Sequence, residues 1–246
     1  MRNTTINALG NRLVVWVTGA SRGIGSEIAK AFAAIRAEVV ATSRSPEKLA
    51  ALVRQIGKTG GAATAYLCDV SSERSVASTA KKILSRFDHV DVLVNNAGVT
   101  YFKYLRDTSP EEFDEIIGAN LRGTFLCTKA VLESMIRRRS GHIFNIISVT
   151  AQKTYTNSGA YSASKAGAIA LTNVLREEVR AYNIKVTAVL PGATDTRMWA
   201  TSTRRKFQHQ MMQPQDVARI VVALYQAPQR AHVEEIVFRP QLGDLP

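Results

Sequence analysis

Short apolar runs rich in β-branched residues alternate with longer segments of helical period along most of the chain. The runs have the length and composition of buried strands, and the segments between them repeat apolar residues as amphipathic helices do. Strands that alternate with helices in this way predict a parallel sheet. The predicted strands lie near residues 13–17, 37–42, 62–67, 91–94, 143–147, 184–189 and 235–239. The predicted helices span roughly residues 24–35, 46–57, 72–86, 110–138, 160–181 and 214–227.

This alternation predicts an α/β fold: a single doubly wound, Rossmann-like domain over residues 1–246, with a seven-stranded parallel sheet and helices on both faces. A length of 246 residues suits one large α/β domain, and 46% hydrophobic residues indicate a folded core and not a disordered chain. In such sheets ligands bind beyond the carboxyl ends of the strands. We therefore expect the functional residues at that edge.

The net charge of +12, from 32 basic and 20 acidic residues, raises the question of a polyanionic partner. The densest basic clusters, at residues 137–139 and 204–206, are short and contain no aromatic residues for base stacking. We interpret both clusters as solvated faces and expect no specific nucleic-acid partner.

Other features of the composition bear on location and metals. No apolar stretch is long enough to cross a bilayer, and the run at residues 13–17 is too short for a signal-peptide core. The two cysteines, Cys68 and Cys127, do not form a disulfide framework, so a soluble cytoplasmic protein is expected. The four histidines lack the spacing of metal ligands, and no metal is expected.

A glycine-rich turn at residues 18–25 follows the first predicted strand directly and opens into a predicted helix. Gly19, Gly23 and Gly25 allow a tight turn and close backbone approach, and a helix N-terminus offers unpaired N–H groups to a diphosphate. Three glycines also occur in plain tight turns. Their place between a strand and a helix favours nucleotide binding.

A possible chemical site lies at Tyr161 and Lys165, whose i, i+4 spacing puts both on one face of a predicted helix. A neighbouring cation favours the phenolate, so we expect Lys165 to lower the pKa of Tyr161 from its usual value of ~10. Ser148 follows the fifth predicted strand, where its hydroxyl can bond an oxygen that gains charge. The alternatives are a surface Tyr–Lys pair, a strand-end cap at Ser148 and, at Asn120, a helical amide that points to solvent.

Taken in order, these motifs resemble the short-chain dehydrogenase/reductase family over about residues 12–240. The spacing Gly-x-x-x-Gly-x-Gly, the run of residues 95–98 (Asn-Asn-Ala-Gly) and the Tyr-x-x-x-Lys motif carry the resemblance. Further matching positions are Asp69, Asn120, Ser148, Pro191, Gly192 and Thr196. The resemblance implies an NAD(P)-dependent oxidoreductase that transfers a hydride between nicotinamide and a carbonyl or alcohol. Family members are usually oligomers, so a homodimer or homotetramer is expected.

The resemblance also implies roles for the residues. Tyr161 would protonate the substrate oxygen, Ser148 would hydrogen-bond it, and Lys165 would act on Tyr161 and hold the nicotinamide ribose. Asn120 would join a water-mediated proton path to Lys165, so that the predicted catalytic set is Asn120, Ser148, Tyr161 and Lys165. The predicted cofactor-binding set is Gly19, Ser21, Arg22, Gly23, Ile24, Gly25, Ser43, Arg44, Asp69, Val70, Asn96, Ala97, Gly98, Tyr161, Lys165, Pro191, Gly192, Thr194 and Thr196.

The choice of cofactor depends on the end of the second predicted strand. An acidic residue there would bond a ribose 2′-hydroxyl and repel a 2′-phosphate, but the chain has Ser43. The guanidinium groups of Arg44 and Arg22 could converge on a phosphate, although both residues could also be plain surface arginines. The sequence therefore predicts NADP(H).

The resemblance implies that residues 100–105, 150–158 and 197–212 surround the substrate. No shared motif covers these segments, so they do not identify the substrate. The pattern resembles 3-oxoacyl-carrier-protein reductases and related carbonyl reductases, so a 3-oxoacyl thioester is a candidate substrate. Residues 235–240 depart from the glycine-rich ending usual in those reductases. Two other classes stay open: a cofactor-binding regulator without turnover, which would normally have lost Tyr161 or Lys165, and a nucleic-acid-binding protein.

Overall fold

Seven parallel strands form one sheet in the order β3-β2-β1-β4-β5-β6-β7 in the computed structural model, which describes residues 12–245. The strand order reverses direction between β1 and β4, which makes the sheet doubly wound as predicted. The strands are β1 (Val14–Thr18), β2 (Glu38–Ser43), β3 (Ala62–Leu67), β4 (Val92–Asn95), β5 (Gly141–Ile146), β6 (Ile184–Pro191) and β7 (Glu235–Phe238). All seven lie where the sequence pattern predicted them.

Helices cover both faces of the sheet, and the alternation of side chains along β1 shows how. Val15 and Val17 belong to one buried cluster together with Phe32 of the first helix. Val14 and Trp16 point the other way, into a second cluster with Met135. The helices are α1 (Gly23–Ala34), α2 (Pro46–Lys58), α3 (Glu73–Phe87), α4 (Pro110–Ile117), α5 (Gly123–Arg138), α6 (Gly159–Val179), α7 (Thr201–Phe207) and α8 (Pro214–Tyr225).

The structure differs from the prediction between residues 110 and 138, where one continuous helix was expected. A π-helical turn, Gly118–Arg122, separates α4 from α5. Asn120 lies in this turn and is only 1% exposed. Its side chain is therefore not the solvent-pointing amide of the alternative reading. Wide turns of this kind occur often at functional sites, because they turn a side chain away from the regular helical ladder.

Helix α7 was not predicted, since the short segment Thr201–Phe207 has a basic composition and no buried residue among its members. The interpretation of the basic clusters as solvated faces is wrong for Arg138, whose side chain is only 16% exposed. Arg138 is bonded to the buried Asp91 at 2.6 Å, and Arg204 is bonded to Asp195 at 2.6 Å. Each arginine lies in the last turn of its helix, beside its aspartate. The sequence pattern gave no sign of either ion pair.

Membrane-spanning helices and metal-ligand clusters are both absent from residues 12–245. No helix in this range is long and apolar enough to cross a membrane. No group of three or more His, Cys, Asp or Glu side chains in the same range is arranged to hold a metal ion.

Candidate active site

One cavity of ≈ 1250 Å³ runs along the carboxyl ends of the strands. It brings together nearly all the site residues that the sequence predicted. Gly25 and Asn120 are the exceptions, since neither lines the cavity. The predicted residues that line it are Gly19, Ser21, Arg22, Gly23, Ile24, Ser43, Arg44, Asp69, Val70, Asn96, Ala97, Gly98, Ser148, Tyr161, Lys165, Pro191, Gly192, Thr194 and Thr196.

The glycine-rich turn is held against the end of β4. The Asn96 side chain donates to the Thr18 carbonyl at 2.9 Å, which ties the turn to the neighbouring strand. Gly19 has φ +64, and a Cβ added there would lie 2.7 Å from the Cα of Ala97. Glycine is required here by backbone conformation and by this close approach. Asn96, predicted to contact a cofactor, is therefore also the residue that braces the turn.

The first turn of α1 faces this cavity through Gly23 and Ile24. Arg22 is the N-cap residue, and its side chain makes no capping hydrogen bond. The first N–H groups of a helix have no partner within the helix, and they carry its positive dipole. This end of the cavity therefore fits an anionic diphosphate.

Three basic residues follow the ends of β1 and β2. Arg22 and Arg44 line the cavity as predicted, and Lys48 lines it as well. Lys48 was not among the predicted residues, although its place in the first turn of the helix that follows β2 was a usable signal. Ser43 accepts a hydrogen bond from the Ser45 backbone N–H at 3.1 Å, which fixes the turn that presents Arg44. This corner fits a phosphate group better than a bare hydroxyl.

Tyr161 and Lys165 lie on the buried face of α6, with 7% and 5% of their surfaces exposed. The Lys165 Nζ lies 5.6 Å from the centre of the Tyr161 ring and donates to the Ile146 carbonyl at 2.9 Å. Ser148, just after β5, lines the same part of the cavity. Its hydroxyl accepts a hydrogen bond from the Thr150 backbone N–H at 3.2 Å. Ser148 therefore also caps the short helical turn that follows β5, as the alternative interpretation held. Tyr161 and Lys165 are not a surface pair.

Burial sets the protonation of this pair. It raises the pKa of Tyr161 to about 12, against a smaller opposing effect of the Ser148 hydroxyl. The net direction is opposite to the one expected from the sequence, because desolvation of the phenolate is the dominant effect on the Tyr161 pKa. Burial also lowers the pKa of Lys165 to about 8. At neutral pH the site therefore holds a neutral phenol beside a buried, mostly charged ammonium.

Asn120 supports the site from behind the cavity wall. Its Oδ1 accepts from the Val99 backbone N–H at 2.8 Å, and its Nδ2 donates to the Ser164 hydroxyl at 2.9 Å. Ser164 in turn donates to the Tyr161 carbonyl at 2.7 Å. The π turn is thus tied to the loop after β4 and to the helical turn that carries Tyr161. Ser164, fully buried, was missed by the sequence analysis, and the water-mediated path from Asn120 stays a prediction.

Aromatic side chains form the wall beside Tyr161. The rings of Phe102 and Trp199 are stacked, with centres 5.1 Å apart and planes inclined by 19°. Phe102 also meets the Tyr161 ring edge-on at 6.2 Å. Both residues come from segments predicted to surround a substrate. Asp244 and Leu245 also line the cavity, and no motif pointed to them.

Comparison with known proteins gives consistent results. The family described as short chain dehydrogenase matches residues 13–206. A sepiapterin reductase of Chlorobaculum tepidum is 38% identical over 239 residues, which cover 94% of this chain and 98% of that protein. A 3-oxoacyl-[acyl-carrier-protein] reductase of Synechocystis is 40% identical over 186 residues, 75% of each chain. A metagenomic short-chain oxidoreductase solved in complex with NADP has a TM-score of 0.83 and 35% identity, covering 93% of this chain and 97% of its own.

Proposed function

The chain belongs to the short-chain dehydrogenase family, and on that premise we propose that it reduces a ketone with NADPH, using Tyr161 as the proton donor. It is an oxidoreductase that acts on carbonyl or alcohol groups. The observation that carries the proposal is the meeting of Tyr161, Lys165 and Ser148 in a cavity whose other end is the glycine-rich turn.

The cofactor end supports NADP(H). When bound, the cofactor supplies the hydride; the chain supplies the contacts that hold it. The glycine-rich turn and the first turn of α1 would hold the diphosphate. Arg22, Arg44 and Lys48 would hold the 2′-phosphate through charge-assisted hydrogen bonds. The NADP bound to the metagenomic relative supports the same choice.

The remaining predicted contacts divide along the cavity. Asp69 and Val70 would border the adenine, and Lys165 would hold the nicotinamide ribose. The nicotinamide itself would lie against the segment that follows β6, at Pro191, Gly192, Thr194 and Thr196. Asn96, Ala97 and Gly98 would support the middle of the cofactor from the end of β4.

The proton comes from Tyr161. This phenol is protonated at neutral pH, so it can donate its proton when negative charge develops on the substrate oxygen. The Ser148 hydroxyl would donate a second hydrogen bond to that oxygen. The buried ammonium of Lys165 would stabilise the phenolate that remains after the proton leaves. Asn120 holds the turn of α6 on which this geometry depends.

For the substrate, we propose a ketone carried by a planar ring system, of which sepiapterin, the substrate named for the Chlorobaculum relative, is the first to test. The stacked pair of Phe102 and Trp199 offers a flat aromatic surface next to Tyr161. Such surfaces bind planar rings by stacking, at about 0.5–1.5 kcal/mol beyond the burial of area. A stacked ring would bring its side-chain ketone close to the phenol.

A 3-oxoacyl thioester is the second candidate. The Synechocystis relative supports it by its name, and Arg205 and Lys206 on α7 could attract an anionic carrier. An extended acyl chain gains little from a stacked aromatic surface. The two candidates therefore differ in their dependence on Trp199.

The test is NADPH oxidation, followed by absorbance, with sepiapterin, other ring-bearing ketones and 3-oxoacyl thioesters. We expect turnover of ring-bearing ketones with a KM that rises severalfold in Trp199→Leu, since that variant removes half of the stacked surface. Preferred turnover of thioesters that Trp199→Leu leaves unchanged would establish the second candidate. Tight NADPH binding with no turnover of any compound would support a non-catalytic regulator instead.

We also propose that the protein is a homodimer or homotetramer of the cytoplasm. Phe113, Phe125 and Val174 are large apolar residues exposed on α4, α5 and α6, and large apolar side chains are often buried in contacts between subunits. Both cysteines are buried and free, as suits a reducing compartment. Light scattering after gel filtration measures the mass; a monomer at micromolar concentration would contradict the first part.

A further inference from the structure

The segment after β7 turns back and reaches the substrate end of the cavity. Its path is fixed at two points: Gly192 N–H donates to the Phe238 carbonyl at 2.8 Å, and Gly243 N–H donates to the Pro240 carbonyl at 2.8 Å. Gly243 has φ +86, a conformation that turns the chain sharply. The turn directs Asp244 towards the loop that joins Ser148 to Tyr161.

Asp244 forms ion pairs with the loop and with the tail. Its carboxylate accepts from Lys153 Nζ in the loop at 2.6 Å and lies 3.2 Å from Arg239 Nε in the tail. The Asp244 side chain is only 16% exposed, so these contacts are partly shielded from water. A second link, from Gln152 to Glu235 at 2.6 Å, joins the same loop to β7.

Tyr155, the aromatic residue of this loop, lies next to the ion pair of Lys153 and Asp244. Tyr155 lines the cavity, and the Lys153 ammonium lies 5.3 Å from the centre of its ring. Burial and then the nearby Asp244 carboxylate raise the pKa of the Tyr155 phenol. The Tyr155 hydroxyl is buried and interacts with the Asp244 carboxylate, so its place depends on the packing of loop and tail.

We propose that Asp244 is a positioning residue whose ion pairs with Lys153 and Arg239 latch the tail onto the loop at residues 152–157 and so shape the substrate end of the cavity. The proposal rests on the proposed function, since it adds a specificity-determining residue to that site. Lys153 is 53% exposed, and ion pairs that open to solvent are individually weak. The latch can therefore open and close without unfolding its surroundings.

The location of the latch predicts which constants change. Asp244 and Leu245 lie with Tyr155 at the substrate end, whereas the diphosphate end is formed by α1 and the turn before it. Loss of the latch should therefore weaken substrate binding and leave NADPH binding unaffected. The KM for the ketone should rise, and kcat should change little.

The experiment compares Asp244→Asn with a matched control, Glu27→Gln. Glu27 is 18% exposed and pairs with Lys30 at 2.8 Å on α1, so it matches Asp244 in burial and chemistry. For Asp244→Asn we expect a KM increase of about fivefold, the scale of one weak ion-pair contact, and an unchanged Kd for NADPH. Limited digestion with chymotrypsin, which cuts after Tyr155, should become faster by a similar factor. The control should match the wild type in all three measurements.

A double variant tests the partner. If Lys153 acts through Asp244, then Lys153→Met added to Asp244→Asn should raise KM no further. If Asp244→Asn is cleaved at the wild-type rate, the latch is overturned. Faster cleavage with an unchanged KM overturns it as well. So does a loss of NADPH affinity as large as the rise in KM. If no compound is turned over, the proposed function fails separately, and the cleavage rate alone still decides whether the latch exists.

Discussion

Lys165→Met is expected to make the cofactor-free protein at least as stable as the wild type while abolishing turnover. Lys165 is 5% exposed, and burial lowers the pKa of its ammonium from 10.5 to about 8. Because each tenfold change in an ionisation equilibrium corresponds to ~1.4 kcal/mol, keeping this charge in the native protein costs about 3 kcal/mol at neutral pH. Methionine fills a similar volume and removes that cost.

One interaction opposes the gain. Lys165 donates to the Ile146 carbonyl at 2.9 Å, and the variant leaves that acceptor without its donor, which costs about 1–3 kcal/mol. The balance at pH 7 is a gain in the free energy of unfolding between about 0 and 2 kcal/mol. Turnover should still disappear, because the cation beside Tyr161 is gone.

The pH dependence of the stability difference shows whether the buried charge of Lys165 is its cause. Between pH 8 and 10.5 the unfolded chain holds a proton on this lysine that the native protein has lost, so the wild type becomes more stable relative to the variant as pH rises. Urea unfolding of both proteins near pH 7 and about pH 9.5 should show their difference shifting towards the wild type by about 2 kcal/mol. Groups such as Cys127 titrate in both proteins and cancel. A variant that is clearly less stable at pH 7, or a difference independent of pH, would refute the reasoning.

Three further predictions address the rest of the site and the charge. Tyr161→Phe should bind NADPH normally, by fluorescence titration, but lose about 10²–10⁴ or more in turnover; a folded variant with near-normal rates rules out the proposed proton donor. Arg44→Asp should erase or reverse a preference for NADPH over NADH, because it places a negative charge beside the 2′-phosphate; equal affinity of the wild type for both cofactors contradicts this assignment. Binding to DNA or RNA, measured by filter retention, should be weak and lost as salt rises; a sequence-specific complex at high salt would overturn that expectation.

Much of the cavity was predictable because its residues come from short segments with their own local rules. A glycine-rich turn between strand and helix needs no distant contact to be identified, and Tyr161 and Lys165 share a helix face whatever packs against it. Ser43 and Arg44 were identified because the end of β2 lies beside the adenosine ribose in dinucleotide-binding sheets of this kind, so its residues indicate the choice of cofactor. Lys48 was missed because it belongs to no motif, although its place in the first turn of α2 is a local signal.

Other features had no local signal. Asn120 lies where the structure interrupts a helix whose sequence pattern continues, and its bonds to Val99 and Ser164 are visible only in the structure. The stacking of Phe102 on Trp199 joins segments almost a hundred residues apart in sequence. Asp244 reaches the cavity through a turn at Gly243 that no periodic pattern records.

The sequence by itself determined the positions of the seven strands, the edge of the sheet that carries the site and the residue types placed there, because these follow from periodicity and chain direction. Only the tertiary structure decided the state of those residues. The direction of the Tyr161 pKa was wrong from sequence because spacing reveals the neighbouring charge but not the loss of water around the phenol. Desolvation depends on everything that packs against a group, and those neighbours come from segments far apart in the chain.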